Sequence, residues 1–243
     1  MEMRRRLAAL GHAGLDLLFP PVCAGCGRAG HLFCPRCAQA VEPVPQPICA
    51  RCGRPQPAAV AQCAACRAAS ARPLRLSRAA ALHTSPLRQA IHALKYEQQP
   101  ELAVPLARYL IAVFAEPPWA GLDATLDAVI PVPLHAQRLA ERGYNQSELL
   151  AAALASAAGL ALHPGWLARS RETRQQVGLD AAQRRANVDG AFVASAAVAG
   201  CTLLLVDDVF TTGATLHACA AAALAQGAAA VYGLTLAMPA YTP

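Results

Sequence analysis

This chain has a single lysine, Lys95, among its 21 basic residues, and aromatic side chains make up only 5% of it. It also has no run of eighteen apolar residues free of charge, proline or polar breaks, although 55% of the residues are hydrophobic, many of them alanine. The missing run argues against a membrane-spanning helix. The missing aromatics leave little on which the bases of a single nucleic-acid strand could stack, since Phe33 is the sole aromatic between Cys23 and Cys66. An export signal is not expected either. Arg4-Arg5-Arg6 precedes a moderately apolar stretch, but His12 and Asp16 interrupt it, and Pro20-Pro21 closes it without a small-x-small cleavage site. Residues 1–19 are therefore expected to form a short amphipathic helix, and the protein is expected to be cytoplasmic. The surplus of Arg, Ala and Pro reads as base composition rather than function.

Ten cysteines are present, and eight of them form C-x-x-C pairs: Cys23/Cys26, Cys34/Cys37, Cys49/Cys52 and Cys63/Cys66. Such a turn points two sulfurs at one centre, and two turns complete a tetrahedral tetrathiolate zinc site. Gly27 and Gly53 each follow the second cysteine of a pair, where a tight knuckle favours a residue that tolerates positive φ. The segment is rich in proline and poor in large apolar residues, so metal must supply the stability that its core cannot. Zinc, one ion or two, is the expected metal, with iron–sulfur clusters the other option. Sequential and interleaved pairing are both open. Cys201 and Cys219 stand apart and read as small buried residues.

Residues 1–78 carry eleven arginines against three acids, a net +8, whereas the remainder is −2. Each zinc with four thiolates adds −2, so two sites would lower the whole chain from +6 to +2. Arg28, Arg36, Arg51, Arg54 and Arg67 could contact a phosphate backbone, keep the module soluble, or dock it on its neighbour.

Residues 203–215 read Leu-Leu-Leu-Val-Asp-Asp-Val-Phe-Thr-Thr-Gly-Ala-Thr. An apolar run ending in acids and a Gly-containing loop predicts a buried parallel strand whose carboxyl end opens onto a site. The amides of Thr211, Thr212, Gly213, Ala214 and Thr215, at the start of the next helix, suit a phosphate. Asp207 and Asp208 repel phosphate but suit the two hydroxyls of a ribose, or Mg²⁺. A ribose 5-phosphate satisfies every group, and the stretch resembles the phosphoribosyl pyrophosphate (PRPP) motif of type I phosphoribosyltransferases. The alternative is a solvated turn at a strand end.

The chain divides into residues 1–75 (the helix and a Cys-rich module) and 76–243, with Pro73 to Arg78 as the link. Pattern and punctuation predict strands at 79–83, 124–132, 202–206 and 231–236, and helices at about 85–98, 101–115, 146–158, 180–187 and 214–226. That alternation implies an α/β fold with a parallel sheet, and ligands in such sheets bind beyond the carboxyl strand ends. Lys95, Arg138 and Arg142 are expected to face a pyrophosphate there. Arg169, Arg171, Arg174, Gln175, Gln176, Arg184 and Arg185 form a second basic stretch, read either as a mobile cover or as a surface loop.

The order of the parts is specific. The cysteine pairs precede Leu94-Lys95-Tyr96, Pro131-Val132-Pro133-Leu134, Arg142-Gly143-Tyr144-Asn145-Gln146, Thr173-Arg174-Gln175, Arg185-Ala186-Asn187-Val188 and finally residues 203–215. The chain resembles the ComF family, competence-associated proteins in which a double zinc ribbon is fused to a type I phosphoribosyltransferase-like domain. Tyr144 stands where that family usually has Phe. The resemblance implies a bacterial cytosolic protein that binds PRPP with Mg²⁺. Such a protein would assist single-stranded DNA uptake beside a helicase-like ATPase, or nucleotide salvage. A non-catalytic PRPP sensor and a zinc-ribbon DNA-binding adaptor are the rival readings, because neither a general base nor a purine-binding hood is legible.

Overall fold

The computed structural model describes residues 20–69, 73–171, 183, 187–188 and 190–240. The expected helix at 1–19, most of the helix at 180–187, and Arg174, Gln175, Gln176, Arg184 and Arg185 lie outside the described residues.

Two short helices, α1 (Pro35–Gln39) and α2 (Ala64–Ala68), belong to the cysteine-rich module. The remainder is a parallel sheet of β1 (Leu76–Leu82), β2 (Ala128–Pro131), β5 (Thr202–Val209) and β6 (Ala230–Met238), in the spatial order β1-β6-β5-β2. Helices α3 (Leu87–Tyr96), α4 (Ala103–Phe114) and α6 (Gln146–Ala158) cover one face. Helix α7 (Ala214–Ala225) and an antiparallel hairpin of β3 (Leu167–Arg169) and β4 (Phe192–Ala194) cover the other. The fold is thus α/β, as expected.

The apolar run of β5 serves both layers at once. Leu204 and Val206 pack under α4 and α6, whereas Leu203 and Leu205 pack under α7, all four fully buried. A strand covered on both faces must be apolar at consecutive positions. Truncating one of these leucines to alanine would cost about 2–5 kcal/mol.

The cysteine-rich module protects the open edge of the sheet. The Leu82 amide donates to the Glu42 carbonyl at 2.8 Å and the Ser77 amide to the Arg51 carbonyl at 2.8 Å, so β1 is hydrogen-bonded on its outer side too. An exposed edge would otherwise invite pairing with another chain. At the opposite edge, Val129 exchanges bonds with Ala161 and His163 at 2.8 and 3.0 Å.

Several expected boundaries move. Strand β1 begins at Leu76 rather than 79, because the module supplies hydrogen-bond partners there, so the link shortens. The strand expected at 124–132 begins at Ala128, since Asp123–Thr125 form a 3₁₀ turn closed by a 2.7 Å bond from Thr125 Oγ1 to the Leu122 carbonyl. Strand β5 runs on to Val209, carrying both aspartates within the ladder. Helix α5 (Ala136–Arg142) and the β3–β4 hairpin were not expected. Cys219 is fully buried, but Cys201 is only half-buried.

Candidate functional site

The eight paired cysteines gather into two clusters. Cys23, Cys26, Cys34 and Cys37 form one, and Cys49, Cys52, Cys63 and Cys66 the other, with the sulfurs of each within 4.8 Å of one another. Pairing is therefore sequential. Gly27 and Gly53 adopt φ of +74° and +70° at the knuckles. The Cys34 and Cys63 amides donate to the Cys23 and Cys49 sulfurs at 3.2 Å. Burial opposes ionisation of Cys23 and Cys49, but the amides around them outweigh it and bring these thiols down to about 6 and about 7. Four sulfurs at one centre, with amides turned toward them, suit a structural zinc ion at each site.

A cleft of about 480 Å³ opens at the carboxyl ends of β1, β2 and β5. Asp207, Asp208, Thr211, Gly213, Ala214, Thr215, Lys95, Arg138 and Arg142 all line it. Of the residues expected there, Thr212 alone does not. Its hydroxyl accepts from the Ala214 amide at 3.3 Å, at the start of α7. Gly213, with φ of +80°, forms the turn into that helix, and a Cβ there would meet the Phe210 ring at 2.6 Å. Only glycine fits on both counts.

The two aspartates have different partners. Asp208 is almost fully buried; its Oδ1 accepts from Lys95 Nζ at 2.7 Å and its Oδ2 from Gln146 Nε2 at 2.7 Å. Asp207 accepts from Ser147 Oγ at 2.8 Å and from the Asp208 amide at 2.9 Å. Burial and the neighbouring Asp208 charge raise the Asp207 carboxyl to about 7, with Lys95 and Ser147 opposing them. Burial works against the Lys95 charge, but the Asp208 and Asp207 carboxylates outweigh it and push the ammonium up. His83, also in the cleft, is held toward its neutral form by burial and then by Lys95.

The Arg-Gly-Tyr-Asn-Gln element clamps this arrangement together. Arg142 donates to Gln146 Oε1 and lies 5.3 Å over the Tyr96 ring, so its guanidinium orients the amide that holds Asp208. Tyr144 donates to the Leu94 carbonyl at 2.6 Å, tying down the end of α3 that carries Lys95. Asn145 caps α6 by accepting from the Ser147 amide at 3.0 Å, and donates to the Val132 carbonyl at 3.0 Å. Arg138 and Arg142 sit four residues apart in α5 and share the face turned to the cleft.

Sequence reasoning missed Ser147, His83 and Arg88. Ser147 directly follows the quoted element, and its place in the first turn of α6, beside Gln146, was the available signal. Five cationic side chains (Arg88, Lys95, Arg138, Arg142 and Arg169) line the cleft against two acids. The surplus of positive charge favours a polyanionic ligand. Of the ribbon arginines, Arg51 reaches the link and Arg54 docks on the second domain. Arg51 Nη2 donates to the Leu74 carbonyl at 2.8 Å, and Arg54 Nη2 donates to the Thr211 and Thr212 carbonyls at 3.2 and 3.3 Å. Arg28, Arg36 and Arg67 are exposed. No helix among the described residues is long and apolar enough to cross a membrane.

Comparison with known proteins agrees with this organisation. The family model for a double zinc ribbon domain matches residues 14–72. The DNA utilization protein YhgH of Escherichia coli O157:H7 is 33% identical over 228 residues, 92% of this chain and 89% of that protein. The YhgH protein of Salmonella typhimurium is 38% identical over 150 residues, covering 61% of this chain and 66% of its relative, just under two thirds of that length. Competence protein F of Haemophilus influenzae is 33% identical over 138 residues, 56% of this chain and 60% of that protein.

Proposed function

This chain belongs to the ComF family of double-zinc-ribbon proteins, relatives of DNA utilization protein YhgH and Competence protein F, and from that premise we propose that its cleft binds PRPP with Mg²⁺. One observation carries the reading. Two adjacent aspartates lie near the carboxyl end of the central strand, and a loop closed by a glycine turn leads from that strand into a helix N-terminus, all on one wall of a cationic cleft. The helix N-terminus and the hydroxyls of Thr211 and Thr215 suit the 5-phosphate. The carboxylates suit the ribose hydroxyls. Arg88, Arg138 and Arg169 suit the pyrophosphate. The volume is that of a small-molecule pocket.

The donor set also fits Mg²⁺, a hard cation that takes one or two carboxylates together with ligand oxygens. Asp208 has both oxygens engaged, so Asp207 is the carboxylate left to reach the ion. When bound, the ion would neutralise charge on the pyrophosphate. With turnover, a nitrogen nucleophile attacks C1 of the ribose, and the C1–O bond breaks as pyrophosphate leaves with the electron pair. The arginines then stabilise the leaving group and Asp207 the positively charged ribose.

A sensor without turnover is the second reading. Among the described residues the cleft holds no acids beyond Asp207, given above to the ion and the ribose, and Asp208, whose two oxygens Lys95 and Gln146 take, so His83 and His92 are the remaining proton acceptors. In either case we place the protein in the cytoplasm, linking PRPP supply to DNA use, with single-stranded DNA and a helicase-like ATPase as partners.

Titration calorimetry with PRPP and Mg²⁺ tests the site. Binding that is lost in Asp207→Asn with both zinc ions retained is the expected result, and a wild-type chain with no heat of binding would overturn it. Pyrophosphate release across a panel of bases separates enzyme from sensor.

A further inference from the structure

Arg54 belongs to the second ribbon, yet its guanidinium grips the outer side of the loop assigned to the phosphate. It donates to two consecutive carbonyls, Thr211 O at 3.2 Å and Thr212 O at 3.3 Å, and it lies 5.6 Å over the Phe210 ring. In a trans peptide the carbonyl and the following N–H point in opposite directions. Carbonyls of Thr211 and Thr212 turned toward Arg54 therefore turn the amides of Thr212 and Gly213 away from it. No acceptor among the described residues takes either amide. Gly213 lies on the cleft wall, whereas Arg54 does not.

The backbone of Arg54 is part of the metal knuckle. Its carbonyl accepts from the Cys49 amide at 2.8 Å, and Ile48 and Pro55 bridge on either side of it. The neighbouring turn is anchored on β1 through the bonds from Ser77 Oγ to the Cys52 carbonyl and from Arg78 Nη2 to the Ala50 carbonyl, at 3.4 and 2.8 Å. A small knuckle without a core of its own holds its shape through its metal. Phe210 completes the connection, because its ring fills the space above Gly213 that a Cβ would need.

We propose that Arg54 is a positioning residue for the phosphate loop at 211–215, so that the state of the Cys49/Cys52/Cys63/Cys66 centre sets the affinity of the cleft for a phosphorylated ribose. The inference rests on the PRPP reading of the cleft. The ribbon then works as the rear wall of the site, holding the loop carbonyls outward so that the amides stand ready for an anion. Coupling of this kind is reciprocal: a ligand held by the loop must also hold the metal centre.

The experiment uses the full chain with both zinc ions bound, and PRPP with Mg²⁺ as the probe. Arg54→Ala is expected to bind about tenfold more weakly, the effect of losing a charged donor shared by two carbonyls. Arg54→Lys, which keeps the charge and one point donor, should recover part of that loss. Arg28→Ala, an exposed arginine of the first ribbon, should bind like wild type. Metal content by native mass spectrometry should remain two zinc ions in each variant. Release of zinc to a chromogenic chelator should then be slowed by PRPP for one of the two ions in wild type, and for neither in Arg54→Ala. Equal PRPP affinity in wild type and Arg54→Ala, or zinc release from both centres indifferent to PRPP, overturns the inference while leaving the PRPP site standing. A wild-type chain that binds no PRPP overturns both.

Discussion

Lys95 Nζ and Asp208 Oδ1 are 2.7 Å apart, which places the chain's one lysine against the second of the two aspartates near the end of the central strand. Both groups are largely withdrawn from solvent, and Gln146 occupies the other carboxylate oxygen. The pair joins α3 to β5 and thereby sets one wall of the cleft.

Breaking this pair from one side leaves a buried charge without its partner. Lys95→Met should therefore destabilise the protein by about 3–5 kcal/mol. The double variant Lys95→Met with Asp208→Asn removes both charges and should recover much of that loss. Urea denaturation of wild type, both single variants and the double variant gives the coupling. Additive effects would mean that the pair contributes nothing.

Asp207 should impose a pH dependence. Its folded value, near 7, is above the ordinary value of 3.8, so the folded state holds the proton more tightly than the unfolded chain. Its contribution to stability is present at low pH and is lost as pH rises toward and through about 7. Between pH 5.5 and 7.5 the urea midpoint of wild type should fall relative to that of Asp207→Asn. Parallel pH profiles for the two proteins would count against a raised Asp207.

Sequential pairing of the cysteines is open to a simple count. Cys26 and Cys34 belong to one cluster, and Cys66 to the other. Cys26→Ser with Cys34→Ser should leave one zinc ion per chain, whereas Cys26→Ser with Cys66→Ser should leave none. Mass spectrometry under native conditions reads both. Loss of metal should also free the outer edge of β1 and promote aggregation, visible by light scattering.

Gly213 is constrained twice, by a φ of +80° and by the Phe210 ring 2.6 Å from any added Cβ. Gly213→Ala should cost about 1–3 kcal/mol of stability through the backbone strain. It should also abolish PRPP binding by displacing the loop. Phe210→Leu, added to it, should relieve the contact with the ring but not the backbone strain, and so restore only part of the stability. Unchanged thermal denaturation in Gly213→Ala would contradict the geometry.

Much of this molecule was legible in its residues because the signals are local. C-x-x-C spacing places two sulfurs on one knuckle wherever it occurs, and a buried parallel strand needs consecutive apolar residues, as Leu203 to Val206 show. A glycine before a helix that follows two acids marks a turn, and Gly213 forms it. The helices around Leu87, Leu106 and Leu150 follow the same local logic, with apolar stripes that end up buried against the sheet.

Long-range pairing is another matter. That Lys95 meets Asp208 across 113 positions, that Ser147 rather than solvent answers Asp207, and that Arg54 reaches the carbonyls of Thr211 and Thr212 depend on which elements the fold brings side by side. The Arg-Gly-Tyr-Asn-Gln element could be read as basic and polar, but its use as a clamp on α3, β2 and Asp208 needed all three in place. The extension of β5 to Val209 had the same origin, because β6 continues beside it and offers partners for residues that sequence alone assigns to a loop. Spacing along the chain encodes knuckles, strands and caps, since those are made by neighbours. The charge pairs and the docked ribbon are made by strangers in sequence, and only packing of the sheet, helices and metal module decides which of them meet.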